Sequence, residues 1–146
     1  MKRRTLAGLV FLVVILSVGV GGHAYLASRL ALEPGWPEPL RSALVAAFGV
    51  GLAAVLTQIF VRRRLGILSR ALSWAAYVWL GFTFLLLTTT LATDAALWIL
   101  GAASTAPQDV LFFARARALL VAGVASAAAV VALRQGLAAP GVRRIE

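Results

Sequence analysis

The chain reads as an all-α, polytopic membrane protein, with four transmembrane helices in an up-down-up-down bundle. Three observations predict this fold class. Four long runs, residues 5–25, 42–61, 71–93 and 118–133, contain no Lys, Arg, Asp or Glu, and His23 alone interrupts the first. The composition is 62% hydrophobic and only 13% charged, with a mean hydropathy of +0.95. A soluble domain would carry about 25% charged residues. Finally, the basic residues gather at alternate ends of the runs. A hydrocarbon layer of about 30 Å needs about 20 apolar residues per helix. The expected helices are therefore 5–27, 42–61, 71–93 and 111–134, followed by an exit segment over 135–146 that lies on the cytoplasmic side.

The charge pattern sets the orientation. One set of ends carries Lys2, Arg3, Arg4, Arg62, Arg63, Arg64, Arg70, Arg134, Arg143 and Arg144 against the single acid Glu146. The other set carries Arg29, Arg41, Arg115 and Arg117 against Glu33, Glu38, Asp94 and Asp109. Cytoplasmic loops of membrane proteins hold the excess of Lys and Arg. Both termini are thus expected in the cytoplasm, and the chain in the cell inner membrane.

Along the first segment, Met1–Arg4 is a basic start and the run ends near Gly21-Gly22-His23-Ala24-Tyr25. A cleaved signal peptide is the rival reading, with Gly22-His23-Ala24 as a small-x-small site. Against it, the apolar stretch exceeds a usual signal core, and cleavage would leave three spans with the new N-terminus outside. Tyr25 and Arg29 suit the outer interface, where amphipathic rings and long cationic stems are stable. His23 is the chain's one histidine and reads as packed or interfacial rather than as a metal ligand. Glu33-Pro34-Gly35-Trp36-Pro37-Glu38-Pro39 holds three prolines and cannot be helical throughout. It reads as a short external loop with Trp36 near the head groups.

The second segment spaces Ala43, Ala47 and Gly51, and likewise Ala46, Val50 and Ala54, four apart. Such spacing lets helix backbones approach closely. Alanine-rich composition would also produce it by chance, and the sequence alone leaves both readings open. Arg62, Arg63 and Arg64 end the segment as an inner-face anchor, with a specific anionic-lipid site as the alternative.

The third segment is the most distinctive. Trp74, Tyr77 and Trp79 form an aromatic belt at the inner face. Thr88, Thr89 and Thr90 are expected to bond back to carbonyls of their own helix. Asp94 closes the run. An acid within the hydrocarbon would be a functional candidate; at the rim, it is expected to be solvated or paired with Arg115 or Arg117. Trp98 is a further interfacial residue. Residues 104–109 read as a loop, with Asp109 capping the fourth helix. Arg115 and Arg117 are expected to snorkel to the head groups, with Ala118, Ala122 and Ser126 spaced four apart behind them. Gly136 and Pro140 end the helix.

The chemistry missing from the sequence narrows the function. There is no cysteine, which excludes disulfides and thiolate chemistry. There is no Gly-rich phosphate loop, zinc-protease motif or nucleophile elbow. Paired carboxylates within a segment are also missing. Catalytic, cofactor and metal residues are expected to be none. The net charge of +9 does not imply nucleic-acid binding, because its cations sit at helix ends and form no basic stripe with interleaved aromatics. A transporter usually carries polar groups or broken helices at the midplane, and these segment centres are uncharged and free of proline.

Tyr25 and Arg29 after segment one, the Trp74…Tyr77-Val78-Trp79-Leu80-Gly81-Phe82 stretch leading to Asp94, and the exit Gly136-Leu137-Ala138-Ala139-Pro140-Gly141-Val142-Arg143-Arg144-Ile145-Glu146 carry a resemblance. On these residues the chain resembles the N-terminal membrane region of bacterial integral-membrane metallophosphoesterases, of the calcineurin-like phosphoesterase superfamily. The resemblance implies that the basic exit leads into a cytoplasmic catalytic domain. That family's dinuclear metal site uses Asp-x-His, Gly-Asp-x-x-Asp and Gly-Asn-His motifs, and none occurs here. No catalytic residue carries over, and this chain by itself is expected not to hydrolyse phosphoesters. The expected partners are the lipid bilayer and a metallophosphoesterase domain or partner chain on the cytoplasmic side. The function expected is a membrane anchor. The alternative is a self-contained membrane protein that acts through helix–helix association with itself or a partner, including as a homo-oligomer.

Overall fold

The structure is a computed structural model and describes residues 2–61, 66–100 and 107–137. Among these residues every long element is helical: α1 (Lys2–Leu26), α2 (Glu38–Val61), α3 (Gly66–Ile99) and α4 (Pro107–Leu137). All four are long and apolar enough to cross a membrane. A π-helical turn, Ala27–Leu32, prolongs α1 without a break. Its wider winding is marked by the bond from the Glu33 amide to the Ser28 carbonyl, 2.9 Å, five residues back.

Each helix runs beyond at least one of its predicted ends. The first extends through the π turn to Leu32 rather than stopping at 27. The second begins at Glu38 rather than 42, because Pro39 falls in the first helical turn, where a missing amide costs nothing. The third covers Gly66–Ile99 rather than 71–93, so Asp94 lies inside a helix and not at its end. The fourth starts at Pro107, which places Asp109 in its first turn rather than at the cap. It also carries on through Gly136 to Leu137, so the start of the predicted exit segment is helical. The rest of that exit, with Arg143 and Arg144, and the anchor Arg62, Arg63 and Arg64 lie outside the described residues.

Contacts between the helices give their directions. Near the end of α1, Tyr25 meets Asp94 near the end of α3, and Asp94 meets Arg117 in the first half of α4. Ser73 in the first third of α3 donates to Gln58 near the end of α2, 2.6 Å. Successive helices therefore alternate in direction, and α3 packs against both α2 and α4.

Between α1 and α2 the chain reverses through Gly35, whose φ of +60° is a conformation that side-chain-bearing residues rarely adopt. A Cβ there would also press on Leu111 at 3.3 Å. The buried core is small: Leu26, Leu30, Phe48, Leu86, Ala118, Val121 and Ala125, with Trp79 and Phe82 packed on it. Most other apolar side chains face outward, including Leu9, Val13, Val50, Phe84 and Leu119. In a bilayer that exposure carries no penalty, since lipid is as apolar as leucine.

A candidate polar clamp at one end of the bundle

The polar side chains of this apolar chain converge at the end where α1 and α3 finish and α4 begins. The π turn is what brings α1 into the cluster. A straight α-helix turns about 100° per residue, so the extra residue in this turn changes which side chains face α3 and α4. Arg29 and Glu33 end on that side together with Tyr25.

Asp94 is the centre. Its carboxylate accepts from the Tyr25 hydroxyl at 2.5 Å, from Arg117 Nη1 at 2.8 Å, and pairs with Arg29 Nε at 3.1 Å. Glu33 is the second acid. It accepts from Arg29 Nη1 on both oxygens at 2.9 Å and from Arg117 Nη2 at 2.6 Å. Each arginine thus bridges both carboxylates, and each carboxylate takes both arginines. The Arg29 guanidinium also lies over the Tyr25 ring, 5.6 Å from its centroid. The side chains of Arg117 and Asp94 keep only 12% and 18% of their exposure, while Arg29 and Glu33 keep about a third. The two arginines and two acids cancel in charge, which is what a low-dielectric setting demands.

A second layer holds the connection over the clamp. Arg115 donates to the carbonyls of Pro34 and Gly35, both at 2.9 Å, and covers the Trp36 ring. The Trp36 indole in turn donates to the Leu30 carbonyl at 2.8 Å. Arg41 pairs with Glu38 at the start of α2.

Asp94 is paired with Arg117, one of its two predicted partners, and Arg115 instead serves the Pro34-Gly35 turn. Arg117 turns inward to the acids rather than outward to head groups, because the two carboxylates accept from both of its Nη atoms. Tyr25 and Trp36, predicted as interface residues, are half-buried and commit their polar atoms within the protein. Trp74 and Tyr77 remain exposed at 60% and 59%. Trp79, placed in the same belt, is half-buried: its indole donates at 3.1 Å to Nε2 of His23, whose Nδ1 pairs with the Gly19 carbonyl at 2.8 Å. Phe48 meets both rings edge-on. Gly51 makes room for the indole, since a Cβ there would fall within the Trp79 ring.

Sequence reasoning did not find Arg29, Glu33 and His23 as partners of other helices. One signal was present for the first two: Arg29 and Glu33 are opposite charges four apart, a spacing that pairs on a helix. The threonines behave as expected, with Thr88, Thr89 and Thr90 donating to carbonyls of the preceding turn at 2.9, 2.7 and 2.6 Å.

Among the described residues no group of three or more His, Cys, Asp or Glu side chains could hold a metal ion. The arrangement joins α1, α3 and α4 through paired charges and the Tyr25 hydroxyl. Comparison with protein families, with curated proteins and with solved structures gives no match.

Proposed function

We propose that the chain is a membrane-anchoring module, four helices that hold a metallophosphoesterase domain or partner chain against the cytoplasmic face of the inner membrane. The clamp is the observation that carries this reading. Tyr25, Arg29, Glu33, Asp94 and Arg117 tie α1, α3 and α4 together and spend their polar groups on one another. That is the economy of a fixed support. A carrier's site is instead typically formed by broken helices at mid-membrane. The excess of Lys and Arg at the opposite end supports a cytoplasmic location for both termini. The residues that resemble the metallophosphoesterase membrane region include clamp members Tyr25, Arg29 and Asp94.

The coding sequence past codon 146 tests the association directly. The reading expects Asp-x-His and Gly-Asn-His motifs within a few hundred bases, in some frame. Their absence from every frame would remove the fusion.

The second reading, a self-contained protein working through helix–helix association, is favoured by a separate observation. Leu6, Leu9, Val10, Leu12 and Val13 of α1 are all exposed, so this stretch leans on little of the bundle. Crosslinking and native mass spectrometry in detergent distinguish the two. A strictly monomeric chain with no partner counts against association.

A further inference from the structure

The clamp is not the outermost part of its end of the bundle. Beyond Asp94, α3 runs on for about 8 Å to Ile99, and α4 begins about 15 Å before Arg117. These added stretches are apolar. Trp98, Ile99 and Leu100 are all exposed, Trp98 at 84%, and so are Val110, Leu111, Phe112 and Phe113, Phe112 at 68%. Three or four consecutive residues go most of the way round a helix of 3.6 residues per turn. Both stretches therefore present apolar surface in nearly every direction. A helix apolar all round belongs in a protein core or a membrane, and these turns are not in the core. A docked protein would cover one face and leave polar side chains on the other. The stretches also continue the outward apolar surface of the same helices at Phe84, Leu91, Leu119 and Leu120.

Two exposed tryptophans on α3 give the scale. Trp74 and Trp98 lie about 36 Å apart along the helix, or about 34 Å along the membrane normal at the usual tilt of about 20°. The hydrocarbon is about 30 Å thick, and tryptophan is enriched at both of its borders. With one ring at each border, Asp94 lies about 6 Å below the Trp98 border.

The polar groups at this level suit that depth. The charges of Arg29, Arg117, Glu33 and Asp94 cancel. The Leu30, Pro34 and Gly35 carbonyls accept from Trp36 and Arg115, so these backbone groups need no water. Arg115 and the Arg41–Glu38 pair are exposed, but they stand on helices that start at this end, so their side chains lean toward the head groups. Asp109, in the first turn of α4, is closer still to the head groups.

We propose that the acyl chains of the leaflet at this end cover the last turn of α3 and residues 110–113 of α4, so that the clamp works inside the hydrocarbon rather than at its rim. The proposal does not depend on the anchoring reading.

The chain has no cysteine, so single nitroxides can be attached after Phe112→Cys or Phe113→Cys, with Val124→Cys as the mid-span reference. Power-saturation spectroscopy in phosphatidylethanolamine–phosphatidylglycerol vesicles compares collisions with oxygen, which concentrates in hydrocarbon, and with a nickel chelate, which stays in water. Oxygen access is expected to exceed nickel access severalfold at both phenylalanine positions, as at Val124. Nickel access at or above oxygen access at either position overturns the proposal. So does low access to both reagents, which would mean that protein covers the tip. A second readout leaves both phenylalanines in place. The emission lost in Trp98→Phe isolates Trp98, and lipids brominated high on their acyl chains are expected to quench it more than aqueous iodide does. Stronger quenching by iodide overturns the proposal.

Discussion

Asp94 accepts from three side chains on two other segments, and its loss would strand two arginines at once. Removing one partner of a buried ion pair costs about 3–5 kcal/mol. The clamp lies near a helix end and keeps some exposure, so Asp94→Asn is expected to destabilise the chain by roughly 3 kcal/mol. Glu33→Gln, at a position about a third exposed, is expected to cost roughly 1 kcal/mol. Tyr25→Phe, which removes a single hydrogen bond, is also expected to cost about 1 kcal/mol. Equilibrium unfolding in mixed micelles measures all three, and an Asp94→Asn variant no weaker than Tyr25→Phe would contradict the clamp. The sequence left Asp94 solvated or paired with Arg115 or Arg117, because both bases lie at the same end of the neighbouring helix and nothing local separates them. Tyr25, Arg29 and Glu33 were not legible as members. Their role depends on a π turn that no residue pattern announces and on which side of α1 faces α3.

At the scale of the element, two devices set the packing. The π turn, Ala27–Leu32, turns Arg29 and Glu33 toward the acid and base of the other helices. Deleting Ser28 would let an ordinary helix form and swing all later residues of the turn by about 100°. That variant is expected to lose as much stability as Asp94→Asn, in the same unfolding assay, although the deleted side chain has only a marginal contact of its own with Glu33 at 3.5 Å. A deletion with wild-type stability would show that the turn has no part in the clamp. The other device is the Gly51 notch under Trp79. Overpacking costs about 1–3 kcal/mol, so Gly51→Val is expected to cost about that much and to release the indole from His23. A red shift of tryptophan emission reports the release, with Trp79→Phe as the reference that lacks the signal. The row Ala43, Ala47 and Gly51 looked continuous in sequence, yet only Gly51 is buried. Likewise Ala118 faces inward with Val121 and Ala125, while Ala122 and Ser126 face out. Spacing marks a row but cannot say which row meets a neighbour. Apolar side chains surround each helix, so no face is distinguished.

Across the whole molecule the sequence was most legible. Apolar length and the position of basic residues are local properties, and they gave the number of helices, their order and their alternation. The helix ends were not local in that sense: a rim residue such as Asp94 stays helical because its charge is answered by another helix. Lipid offers no hydrophobic drive between helices, and so the few polar contacts carry more of the specificity here than in a soluble bundle. On the anchoring proposal, these four spans deliver the C-terminal end to the cytoplasm, where an attached enzyme would work. Paired reporters check this orientation, with green fluorescent protein or alkaline phosphatase fused after Glu146 and expressed in a Gram-negative host. A cytoplasmic C-terminal end gives bright fluorescence and a silent phosphatase. An active phosphatase with a dark fluorescent fusion would contradict it.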